Sequence, residues 1–88
     1  METFLVMESY YTYILFSEEF DRYYVGSTNS MEGRLERHLQ SKKGFTSKAK
    51  DWKVVYTEKF DNRPEAISRE LQIKKWKSRK MIERLVGN

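Results

Sequence analysis

The 88-residue chain has no cysteine, which removes disulfide scaffolds, thiolate zinc sites and cysteine nucleophiles, and fits a reducing compartment. Histidine is nearly absent too: His38 stands alone, so a site built on several imidazoles is excluded. No glycine-rich loop of the Walker or dinucleotide-binding kind occurs among the four glycines, and nucleotide-cradle mechanisms go with it. No apolar run approaches the roughly 20 residues that cross a bilayer. The opening METFLVMESYY carries acids where a secretory signal carries basic residues. A soluble, cytoplasmic protein with no membrane partner is expected. Internal repeats, low-complexity tracts and Pro/Gly/Ser linkers are missing as well, so nothing divides the chain.

What remains is a small basic protein rich in aromatic residues. Aromatics make up 15% and apolar residues 39%, enough for one compact core of large rings despite the short chain. The net charge is +4, but residues 1 to 33 hold one arginine against six acids while residues 34 to 88 hold 16 Lys and Arg against seven. Such asymmetry points to a polyanionic partner on the surface built by the second half, although lysine-rich helix faces also serve solubility alone.

Residues 1 to 9 read as a leader and residues 10 to 88 as a single domain. Tyr10 to Phe16 (YYTYILF) has the aromatic and β-branched character of a strand, Ser17 to Asp21 that of a turn, and Arg22 to Val25 returns as a second strand. Alternation places Tyr11, Tyr13 and Leu15 on one face and Thr12, Ile14 and Phe16 on the other. After Gly26, the residues Ser27 to Ser30 supply capping side chains, with Asn29 and Glu32 spaced as a capping box. The following helix has Met31, Leu35 and Leu39 as its buried stripe and Arg34 and His38 one turn apart on an adjoining face, ending near Gln40. Ser41 to Lys50 reads as a basic loop. Trp52 to Phe60 alternates as a third strand, with Trp52, Val54 and Tyr56 on one face. Pro64 and Glu65 open a second helix whose apolar positions are Ala66, Ile67 and Leu71; Ser78 caps a third, which Gly87 terminates. The expected fold is α+β, a three-stranded antiparallel sheet flanked by three helices in the order ββαβαα.

Few side chains here can carry chemistry. A lone histidine is usually structural, but Arg34 and His38 share a helix that starts right after Tyr24-Val25-Gly26, so two tyrosines, an arginine and a histidine can converge at one edge of the hairpin. Tyr10, Tyr11 and Tyr23 read as packing. Glu70, set among Ala66, Ile67, Leu71 and Ile73, either pairs with Arg69 or Lys74 or holds a metal ion. The lysines at 42, 43, 48, 50, 74, 75 and 77 are either a solvated surface or phosphate contacts.

The segments Tyr11-Thr12-Tyr13-Ile14-Leu15 and Tyr23-Tyr24-Val25-Gly26-Ser27-Thr28, then Arg34, His38, Arg69-Glu70 and Ile73-Lys74-Lys75-Trp76, occur in the order and at the intervals of a known pattern. From Tyr10 to Val86 the chain resembles the GIY-YIG nuclease superfamily, in particular small proteins similar to the nuclease module of the excision-repair subunit that makes the incision. The resemblance implies that Tyr13, Tyr24, Arg34, His38 and Glu70 form the catalytic set and that Glu70 binds one Mg²⁺ or Mn²⁺ ion. It further implies a divalent-metal-dependent endonuclease on DNA, with a DNA-repair role as an expectation. The short chain, with no second domain to select a site, leads to the expectation of low sequence specificity and of targeting by a partner, by DNA structure or by homodimerisation. Lys42, Lys43, Lys48, Lys50, Lys74, Lys75 and Lys77 are expected to guide the DNA backbone by charge. Two departures stand out: Tyr11 and Thr12 replace the glycine and isoleucine of the first motif, and no asparagine lies between Glu70 and Gly87. A non-catalytic nucleic-acid-binding module of the same fold is the alternative.

The chemistry explains the residue types. Hydrolysis of a phosphodiester needs an oriented water, neutralisation of the developing oxyanion and help for the leaving oxygen. A guanidinium donates in fork geometry to phosphate oxygens, which places Arg34 on the oxyanion. Tyr13 is the candidate general base, assisted by His38, with Tyr24 orienting the water; the two tyrosine roles are interchangeable at the level of sequence.

Overall fold

A computed structural model describes residues 9–40 and 49–87, apart from the side chains at 32, 36, 38 and 40. The chain forms β1 (Tyr10–Ser17), β2 (Arg22–Thr28), α1 (Met31–Gln40), β3 (Lys53–Phe60), α2 (Arg63–Trp76) and α3 (Arg79–Val86). Both β2 and β3 pair with β1 antiparallel, giving a three-stranded sheet in the order β2-β1-β3. This is the α+β arrangement and element order expected from the sequence.

The sheet separates two apolar layers, as alternation along β1 requires. Tyr13 and Leu15 pack with Met31, Leu35 and Leu39 of α1 and with Ala49 and Trp52. Ile14, on the other face, meets Val25, Ile73, Trp76 and the α3 residues Ile82, Leu85 and Val86. Tyr13, Ile14 and Leu15 are at most 1% exposed, so β1 is the central strand in burial as well as in order. Buried side-chain polar atoms are satisfied throughout the described residues. Thr12 Oγ1, for instance, donates to the Ala66 carbonyl at 2.7 Å and ties α2 to β1.

The third strand departs from simple alternation. Ile14 faces Tyr56 but Leu15 faces Val54, so Val55 is an extra residue in a β-bulge. The bulge flips the face: Trp52 joins the α1 layer, whereas Val55 and Tyr56 both join the α2/α3 layer. Trp52, Val54 and Tyr56 therefore do not share a face, contrary to the period-two reading.

Local side-chain chemistry fixes the helix ends. Ser30 caps α1, its Oγ accepting from Gly33 N at 3.3 Å and its carbonyl from Arg34 N at 3.0 Å. The cap is thus Ser30 and not Asn29, because Thr28 Oγ1 already accepts from Ser30 N and sets the entry of the chain one residue later. Asn62 caps α2 through Glu65 N, with Pro64 in the first turn. Ser78 caps α3, and Gly87 closes it at φ 106°, a conformation suited to glycine.

Helix α2 buries a different stripe from the one its apolar residues suggest. Ala66 and Ile73 are the buried positions, while Ile67 and Leu71 are 39% and 52% exposed. Positions 66, 70 and 73 follow the i, i+4, i+7 spacing of one helix face. Glu70 therefore points toward the sheet, on the side of α2 that ordinarily carries an aliphatic residue.

Candidate active site

Gly26 is where the site starts. It lies directly across from Tyr13 in the β1–β2 ladder, and the Tyr13 ring crosses over it. A Cβ at this position would overlap Tyr13 Oη and Cζ and approach Cε2 to 3.0 Å. The missing side chain is what lets a buried phenol lie flat on the edge strand. Tyr24, two residues earlier on the same face of β2, sets its ring 6.4 Å from that of Tyr13 at 30° between planes.

Glu70 arrives from the other layer. Ser27 Oγ, on the face of β2 opposite to Gly26, donates to Glu70 Oε1 at 2.7 Å, and Lys74 Nζ donates to Oε2 at 2.5 Å. The glutamate side chain is 16% exposed and that of its lysine partner 47%. Of the two basic partners considered for Glu70, Lys74 holds it; Arg69 is bound to Glu58 at 3.0 Å on the β3 side.

Arg34 comes from α1 and lines a polar groove of about 240 Å³ with Thr28, Asn29, Ser30, Gly33 and Arg37. Its charge reaches the Tyr13 phenol. Burial, chiefly, and then Tyr24 and Glu70 push the Tyr13 phenol well above its ordinary value, while Arg34 pulls it down. Tyr13 thus feels both the carboxylate from α2 and the guanidinium from α1, and β2, at the edge of the sheet, is where the two layers meet. The same shift bears on its chemistry: a phenol raised above 10 is a neutral hydrogen-bond donor at physiological pH.

The expected residues divide as follows. Tyr13, Tyr24, Arg34 and Glu70 gather around the Gly26 end of β2. His38 belongs to α1, one turn beyond Arg34, but its side chain lies outside the described residues, as do Lys42, Lys43 and Lys48 entirely. Lys74 and Lys77 border a trough between β2 and the α2–α3 junction. Lys75 lies instead beside Ser68, Leu71 and Gln72 on the outward face of α2. Lys50 is exposed near Trp52, away from these lysines in the chain. Sequence reasoning passed over Ser27 and Arg37. Ser27 was accessible by alternation, since the residue after Gly26 must face α2; Arg37 follows Arg34 at i+3 and shares its groove.

The donor set suits a hard divalent cation held by one carboxylate. Among the described residues no three acidic, histidine or cysteine side chains cluster, so of these residues Glu70 is the carboxylate that would hold the ion. Mg²⁺ is commonly bound in this way. Lys74 would have to release Oε2, which its exposed, flexible stem allows.

Comparison with known proteins places the chain in a family. Among the described residues no helix is long and apolar enough to cross a membrane. A UPF0213 protein of Oceanobacillus iheyensis is 35% identical over 80 residues, spanning 86% of this chain and 92% of its own. The solution NMR structure of a UPF0213 protein from Bacillus halodurans superposes with a TM-score of 0.55 at 28% identity, covering 89% of this chain and 82% of that one. Residues 9–83 match the family described as the GIY-YIG catalytic domain. The chain belongs to the GIY-YIG family, a nuclease superfamily.

Proposed function

We propose that this protein is a divalent-metal-dependent endonuclease that hydrolyses DNA phosphodiester bonds with low sequence specificity. One observation carries the reading: Glu70, on the sheet-facing stripe of α2 and only 16% exposed, accepts a hydrogen bond from Ser27 on the edge strand, next to the Gly26 that faces Tyr13. A carboxylate placed there for stability alone would cost more than an aliphatic residue in its place.

In this reading Glu70 holds Mg²⁺ or Mn²⁺, and the ion supplies positive charge to the phosphate and its leaving oxygen. Arg34 donates to the non-bridging phosphate oxygens, with Arg37 beside it for the neighbouring phosphate. Tyr13, neutral and buried, donates its phenolic proton as a hydrogen bond to the reacting group. Tyr24, half-buried and bordering open space, orients the attacking water. Burial of Tyr13 thus argues against its role as general base and leaves Tyr24 in the water-orienting role assigned from the sequence. His38 is retained as the proton acceptor one turn beyond Arg34. Lys50, Lys74, Lys75 and Lys77, together with Lys42, Lys43 and Lys48, attract the backbone without reading bases. We place the protein in the cytoplasm, with DNA as partner and a targeting protein or a second copy supplying site selection.

A second reading has its own observation: Lys74 holds the oxygen of Glu70 that a metal would need, as in a binding module without turnover. Nicking of supercoiled plasmid separates the two. With Mg²⁺ or Mn²⁺ the protein should nick, chelation should stop it, and Glu70→Gln should lower the rate by about 100-fold or more, the scale of losing a central electrostatic group. Metal-independent binding with no nicking in any metal favours the binding module.

A further inference from the structure

We propose that the trough between β2 and the α2–α3 junction receives an unstacked base of the DNA strand next to the scissile phosphate, so that the substrate is DNA with an unpaired nucleotide beside the cut. The proposal rests on the nuclease reading of the adjoining site. The trough encloses about 540 Å³, within the range of small-ligand sites and ample for one nucleotide. Its floor is apolar and partly aromatic: Tyr23, Val25, Ile73 and Ile82. Its rim is cationic, formed by Arg22, Lys74, Lys77 and Arg79, and no carboxylate lines it.

Some of these charges are engaged outside the trough. Arg79 pairs with Asp21 at 2.7 Å and Glu83 at 3.2 Å, and its guanidinium lies 5.4 Å from the centroid of the Tyr23 ring. Those contacts hold a flat cation and an aromatic ring together at the wall. A flat apolar body joined to an anion matches such a site, and a nucleotide has both parts: the base covers the floor and the phosphates meet the rim. Lys74 and Arg79 already have carboxylate partners outside the trough, and an apolar peptide segment would bring no anion to Arg22 and Lys77, the other two cations of the rim.

Position selects which nucleotide. Lys74 borders the trough and is bonded to Glu70, and Tyr24 borders the trough while its ring packs toward Tyr13. A strand with its scissile phosphate at Glu70 therefore passes its next nucleotide over the trough. A base held in a duplex cannot turn down into it, whereas an unpaired one can.

The test is binding without turnover, in chelator, followed by fluorescence anisotropy and by the methyl NMR signals of the four isoleucines, 14, 67, 73 and 82. A 12-nucleotide single strand should bind about tenfold tighter than the duplex of the same sequence, the scale of one stacked base. The Ile73 and Ile82 methyls should shift with the single strand, while exposed Ile67 stays put. Lys77→Glu, at an exposed position that leaves the core intact, should weaken single-strand binding several-fold. Equal affinity for both DNAs with unmoved Ile73 and Ile82 signals overturns the proposal. So do shifts that grow with protein concentration in the absence of DNA, which would assign the trough to a second copy. The nuclease reading is judged separately by metal-dependent nicking: single-strand preference without nicking retains the trough and removes the enzyme, and nicking without that preference does the reverse.

Discussion

Gly26 and Tyr13 depend on each other. The phenol occupies the space where any other residue at 26 would place its Cβ, so Gly26→Ala must push the ring or the strand aside. Overpacking of this kind costs roughly 1–3 kcal/mol. We expect a lowered urea midpoint, and a loss of nicking larger than the loss of stability accounts for, because the displaced group is Tyr13. The same residue gives a pH dependence whose sign is fixed. Burial raises the folded-state value of Tyr13 above the 10.0 of an exposed tyrosine, so the neutral phenol's contribution is fully present below pH 10 and declines as the pH rises above it. Tyr13→Phe lacks that contribution. Denaturation followed across the alkaline range should show wild type losing more stability than Tyr13→Phe; parallel curves would contradict the burial of an un-ionised phenol.

Helix α2 is the element on which the site turns. Its apolar residues are spread around the axis, and counting them favours a stripe through Ile67 and Leu71; the structure exposes both and turns Ala66, Glu70 and Ile73 inward. Sequence could not show this because the deciding interactions are polar and distant in the chain: Thr12 to the Ala66 carbonyl and Ser27 to Glu70. The strand pattern of β1 and the capping roles of Ser78 and Gly87 were legible, since each rests on local rules. The β3 bulge was not, as one extra residue leaves no mark in a short alternating run. The motif tyrosines, Arg34 and Glu70 were legible as a pattern; their meeting place at the edge of β2 became visible only with both layers in position. Thr12→Val keeps shape and removes one buried hydrogen bond, so it should cost about 1–2 kcal/mol by urea unfolding. A neutral effect would mean that the Thr12 contact does not hold α2.

At the scale of the whole molecule, the net charge of +4 conceals a division that the fold uses. Arg34 and Arg37 border one groove beside the candidate site and Lys74 and Lys77 border the trough on the other side, so cations flank Glu70 along the edge of the sheet. DNA affinity should therefore fall steeply with salt, and Arg37→Ala should reduce the magnitude of the log–log slope by about 1 if it meets one phosphate. An unchanged slope would remove Arg37 from the track. The most direct test of the shared site is the single-turnover nicking rate of Arg34→Ala, Glu70→Ala and the double variant in Mg²⁺ or Mn²⁺. Groups acting as a unit on one phosphate give non-additive losses, so the double variant should be scarcely slower than the slower single variant. Losses that multiply, or single variants as fast as wild type, would contradict a common active site.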